Sequence, residues 1–184
     1  VTNMKEMFYQ AKSFTRDLSK WNVGQVTDMQ QMFTQATFNR DLSKWNVGQV
    51  TDMSSMFSQA SAFNGDVSKW NVDKVQNMER MFSEASAFNQ ELSKWNVVQV
   101  TNMEGMFFQA SDFNQDLSEW NVDKVTNMEM MFFGATSFNQ VLSGDAWVNS
   151  EVIERSMFID SRGSVLGGGS FQPQYKNDLM SALF

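Results

Sequence analysis

Apolar and polar positions follow one another in a single phrase that the chain repeats along most of its length. Leu18, Trp21 and Val23 stand in an L-x-x-L-x-L arrangement whose last two members are separated by one polar residue. That is the period of a half-buried strand, and it predicts a short strand over residues 20–23. From Val26 the spacing turns helical: Val26, Met29, Met32, Phe33 and Ala36 fall at i, i+3, i+6, i+7 and i+10. They form one stripe of a helix about three turns long. Thr27 stands where an N-cap belongs, and Thr101 with Glu104 and Thr126 with Glu129 have the spacing of a capping box.

The phrase has a fixed period. Tryptophan occurs at Trp21, Trp45, Trp70, Trp95, Trp120 and Trp147, with gaps of 24, 25, 25, 25 and 27 residues. Leu18, Leu42, Val67, Leu92 and Leu117 each open one full copy; residues 1–17 hold a partial one, and after Leu142 the phrase degrades. A period of this length predicts stacked units, each burying the apolar face its neighbour cannot cover. The expected fold is an α/β repeat solenoid with short parallel strands on one face and short helices on the other. At the strand spacing of about 4.8 Å, six strands make a stack roughly 24 Å long. Residues 1–142 are assigned to the solenoid, 143–166 to a divergent C-terminal cap repeat, and 167–184 to a glycine-rich linker and a tail ending in Leu179, Met180, Leu183 and Phe184. Val1, Met4, Met7 and Phe8 already belong to a core-forming half-repeat, so further chain or a partner is expected against the first coil.

Composition narrows the chemistry. Fourteen Lys and Arg against 21 Asp and Glu give a formal charge of −7, with neither histidine nor cysteine. Such a balance argues against nucleic acid as a partner. The missing residue types argue against disulfides, zinc sites, thiolate catalysis and histidine acid–base work. No run approaches the roughly 18 apolar residues of a membrane helix. No hydroxyl nucleophile has a unique base beside it, so no enzyme activity and no cofactor are expected. The methionine pairs, spaced helically beside phenylalanine, read as core filler rather than as soft-metal ligands.

The longer phrase, Trp-Asn-Val-x-x-Val-Thr-Asn/Asp-Met-x-x-Met-Phe-x-x-Ala-x-x-Phe-Asn-Gln-Asp, resembles the 25-residue repeat of BspA-like leucine-rich-repeat surface proteins. It is also similar to an uncharacterised mycoplasma-type repeat domain. Leu-x-x-Trp-x-Val stands in for the strand motif of leucine-rich repeats. The resemblance covers residues 1 to about 142 and implies an extracellular or cell-surface protein used for adhesion or protein binding, without enzyme activity.

Candidate contact residues are those that alternate with the buried ones and point off the strand face. They form rows: Lys20, Lys44, Lys69, Lys94 and Glu119; Asn22, Asn46, Asn71, Asn96 and Asn121; and a third row that includes Asp73 and Asp123. A lysine stripe beside an amide stripe suits an acidic protein patch or a polar glycan. Equally, these residues could serve only to solvate the surface, with the Asn row bonding from rung to rung. The indole row is expected to face inward. Asn39 with Asp41, Asn64 with Asp66, Asn89 with Glu91 and Asn114 with Asp116 read as loop-to-loop hydrogen-bonding pairs rather than calcium ligands. The function expected is a non-catalytic binding or adhesion module; the alternative is a structural subunit joined to a larger assembly through the edge of its first coil and its C-terminal tail.

Overall fold

The computed structural model describes residues 1–152 and 155–167. The expected linker beyond Gly167 and the tail lie outside the described residues. Six coils stack in register, tied by parallel bridges from Asn3 to Asp28 and on through Asp52, Asn77, Asn102 and Asn127, and a seventh, divergent coil follows, joined by Phe132 N–H donating to Met157 O. The backbone between these bridges is not what the spacing predicts.

Regular elements among the described residues are few. Strand β1 (Val141–Leu142) pairs in parallel with β2 (Ser164–Val165), and between them lie a four-residue helix, α1 (Asp145–Val148), and a 3-10 turn, Arg155–Phe158. The α/β solenoid with leucine-rich-repeat-like strands and helices does not form. Residues 20–23 straddle two tight turns, closed by Trp21 N–H donating to Leu18 O and Val26 N–H donating to Val23 O. The expected helix is replaced by a run of overlapping turns: the N–H groups of Met32, Thr34 and Ala36 each donate three residues back, to Met29, Gln31 and Phe33. The N–H groups between them, of Met29, Gln31, Phe33 and Gln35, donate to Asp52, Ser54, Met56 and Ser58 of the next coil.

Packing explains why the turns displace the helix. A helix with its side chains is about 10 Å across. Equivalent phenylalanines of successive coils, Phe8, Phe33, Phe57, Phe82, Phe107, Phe132 and Phe158, stack with ring centroids only 5.3 to 5.8 Å apart. Coils that close have no room for helices on this side. The turn ribbon keeps the same residues inward, since Met29, Met32, Phe33 and Ala36 are all buried. It also gives every second N–H a partner in the neighbouring coil. Its cost is left-handed backbone at two residues per coil, such as Gln31 (φ 55) and Gln35 (φ 58). Each such residue costs about 1–2 kcal/mol for a side chain with a Cβ. The intercoil bonds from those same two N–H groups, both 2.9 Å, offset that cost. In two coils glycine takes one of the two positions, as Gly105 and Gly134.

The expected caps are also reassigned. Thr27 and Thr101 direct their hydroxyls to the carbonyls of Thr2 and Gln76 in the preceding coil, both at 3.2 Å. Glu104 accepts from Arg80 and from Asn127 rather than closing a capping box with Thr101. Threonine therefore serves the stack, not a helix end.

Inside, a second column formed by Phe38, Phe63, Phe88, Phe113 and Phe138 lies against the first, with Phe57 to Phe63 at 3.9 Å and Phe82 to Phe88 at 3.8 Å. The indoles of Trp45, Trp70 and Trp95 stack at 6.4 and 6.3 Å within 5° of parallel. Each indole N–H donates to a carbonyl of the coil before: Trp45 to Leu18, Trp70 to Leu42, Trp95 to Val67, Trp120 to Leu92. The indoles of these four, and of Trp147, face inward as expected. Trp21 differs. It is 39% exposed against 3% for Trp45, and packs against Phe8 at 5.7 Å.

Candidate binding face

Tight turns, not strands, present the expected contact rows. Lys44 sits in the turn that Trp45 N–H closes onto Leu42 O, a geometry that pushes the corner side chains outward. Asp41 fixes that corner: its Oδ1 accepts the Ser43 N–H at 2.7 Å. The same bond recurs from Ser19 to Asp17, Ser68 to Asp66, Ser93 to Glu91 and Ser118 to Asp116. Lys20, Lys44, Lys69, Lys94 and Glu119 are all exposed at equivalent corners. Among the described residues none of the four lysines has an ion pair or hydrogen bond. Lys74 and Lys124 differ, reaching Gln49 at 2.7 Å and Gln99 at 2.9 Å.

The asparagine row is exposed too, but its side chains are already at work. Asn22, Asn46, Asn71, Asn96 and Asn121 each accept, through Oδ1, the N–H two residues ahead, on Gly24, Gly48, Asp73, Val98 and Asp123. These are Asx turns. The amide NH2 of each remains for a ligand. Asp73 and Asp123 keep free carboxylates on the exposed side of that turn. The loop pairs behave differently: Asn39, Asn64, Asn89 and Asn114 each accept the N–H of the equivalent residue one coil on. They form a rung-to-rung ladder, the loop-to-loop bonding expected of these pairs, whereas the Asn22 to Asn121 row bonds within its own turns.

Charge changes sign along the face. At the first coils a depression is lined by Arg16, Arg40 and Lys44 together with Asp17 and Asp41. The Ser43 backbone N–H and then its hydroxyl hold the Asp41 carboxyl below the ordinary value; Lys44 and Lys69 add to this, while burial opposes it. Asp17 is held low in the same way by Ser19, with Lys20 and Arg40 contributing. Midway, Lys69, Glu91 and Lys94 line a mixed depression with the edge of Trp70. At the far end Glu119, Asp123 and Asp145 line an acidic one. Arg16, Arg40 and Asp145 join the face without having been singled out from the sequence. The signal for the two arginines was available: both occupy the same place in the repeat, just before the turn-fixing aspartate.

A column of short turn-built coils, with an aromatic interior and a charged turn face, defines a repeat protein. The chain belongs to the family described as Mycoplasma protein of unknown function, DUF285, whose model matches residues 1–92 and again residues 65–165. No curated protein and no solved structure matches it. No helix among the described residues is long and apolar enough to cross a membrane.

Proposed function

We propose that the chain is a non-catalytic binding module that uses its turn face to engage a protein or a glycan at an extracellular or cell surface. The observation that carries this reading is the row of exposed lysines, Lys20, Lys44, Lys69 and Lys94, without a hydrogen bond or ion pair among the described residues. Other repeated polar positions are consumed by the fold: the Asp row by serine N–H groups, the Asn rows by turns and rungs, threonine by the coil before. Side chains that make no hydrogen bond within the stack, held at regular spacing, are the ones free to meet another molecule. The resemblance of the phrase to BspA-like surface repeats supports the same reading and its location. The test is reversal of Lys44, Lys69 and Lys94 together to Glu, read against arrays of matrix proteins and glycans. Binding should fall at least about tenfold with the unfolding midpoint unchanged; undiminished binding would remove the face from the reading.

A second reading, a structural subunit of a larger assembly, is favoured by the first coil. The carbonyls of Asn3, Lys5, Met7 and Tyr9 occupy positions whose equivalents in the next coil, Asp28, Gln30, Met32 and Thr34, accept N–H groups from a neighbouring coil. Another turn ribbon fits that row of acceptors. A monomer that stays monomeric at high concentration in light scattering would count against it.

A further inference from the structure

From the charge distribution of the turn face we infer that its partner is a second copy of this chain, docked face to face and antiparallel about a two-fold axis. The inference rests on the reading of that face as the contact surface and names what covers it. One end of the face carries Arg16, Lys20, Arg40 and Lys44 against Asp17 and Asp41, a net positive end; the opposite end carries Asp116, Glu119, Asp123 and Asp145. The whole chain follows the same gradient, with six cations and four anions in residues 1–50 but three and ten in residues 101–167.

Details of the two ends sharpen the polarity. Asp17 and Asp41 each give one oxygen to a serine N–H, while Arg40 spends only its Nε–H, on Thr15 O at 3.2 Å, which leaves the outer guanidinium nitrogens free. Lys124, next to Asp123, is turned to Gln99, so its charge offsets one of the four carboxylates at that end and leaves it net acidic. A surface positive at one end and negative at the other is complementary to itself only when reversed. Rotation by 180° about the mixed middle, Lys69, Glu91 and Lys94, sets basic against acidic at both ends at once. A parallel pairing would set like charges together. Arginine forks at the basic end match carboxylates bidentately, and an isologous two-fold contact is the commonest way for identical chains to associate. An acidic peptide or glycan would use the basic end alone and leave the acidic end without a role.

Sedimentation equilibrium of the chain at about 0.05 M and about 0.5 M salt tests this. The expected result is a dimer at low salt, with a dissociation constant that rises about tenfold or more at high salt. Two variants follow: Lys20→Glu with Lys44→Glu, and Glu119→Lys with Asp123→Lys. Each alone should be monomeric, their equimolar mixture should dimerise, and the chain carrying all four changes should dimerise again. Restoration in the mixture separates charge pairing from damage to the fold. A wild-type monomer at low salt, a mass that grows beyond the dimer, or a dimer indifferent to the reversals would each overturn the inference. A wild-type monomer whose array ligand is lost on lysine reversal would overturn it while leaving the broader reading intact; loss of neither mass nor ligand on reversal would overturn both.

Discussion

The middle coils and the last one solve the same problem with different backbones. From Leu42 to Leu117 each coil opens with a tight turn that carries its tryptophan inward. After Leu142 the phrase breaks, a strand pair and helix α1 replace the turn, and two extra residues separate Trp147 from Trp120. Yet Trp147 is fully buried, and its indole N–H reaches Leu117 O at 2.9 Å, the same bond in kind that Trp120 makes to Leu92. Phe158 likewise continues the first phenylalanine column, 5.6 Å from Phe132. What the stack conserves across the break is the position of a side chain; the local backbone is adjusted to deliver it.

Substitutions and one titration test that equivalence, the most damaging first. Phe82 lies between Phe57 and Phe107 and over Phe88, so Phe82→Ala should cost about 3–5 kcal/mol in denaturant unfolding. Phe158→Ala, with rings on one side only among the described residues, should fall near the bottom of that range. Equal losses would mean that the last coil is as tightly packed as the middle.

Trp95→Phe and Trp147→Phe should each cost about 1–3 kcal/mol, from one lost hydrogen bond plus the unfilled ring volume. Val67 O and Leu117 O also accept an N–H from their own turns, so neither carbonyl is left without a donor. Trp21→Phe, at a half-exposed indole without that bond, should cost less than about 0.5 kcal/mol. A neutral Trp147→Phe would show that α1 is held by something other than its indole.

The smallest effect is a pH dependence confined to the first coils. Asp17 and Asp41 have folded values below their unfolded ones, so their contribution is complete above about pH 4 and is lost as pH falls through the folded value. The melting temperature should drift down below about pH 4, and less so in Asp41→Asn. A drift unchanged in that variant would place the titrating groups elsewhere.

The period, the inward residues and the outward rows were legible because burial leaves its mark on residue type. The backbone path was not. Val26, Met29, Met32, Phe33 and Ala36 are buried at helical spacing because overlapping turns, like helices, return to the same side every three to four residues. What separates the two is the destination of each N–H, which hydrophobic spacing does not encode. Two signals pointed the right way: glycine at 105 and 134, inside the supposed helix, and Asp, Asn or once Glu two residues before a turn N–H, as at Asp28, Asp41, Asn46 and Glu91. The contact rows were read as strand alternation. Their exposure is as expected, but it arises from turn corners, and the amide row proved half occupied by its own backbone.

One irregularity in the period has a practical meaning. The step from Trp21 to Trp45 is a residue shorter than the three that follow, and the missing residue falls between Ala36 and Phe38, where the next coil has Ala60 and Phe63. The bridge from Asp28 to Asp52 and the burial of Phe38 survive the deletion. Each coil takes its alignment from the one beside it, so an error in length is absorbed at this corner and does not propagate. A designer could splice a foreign peptide there, in any copy, and leave the remaining copies undisturbed.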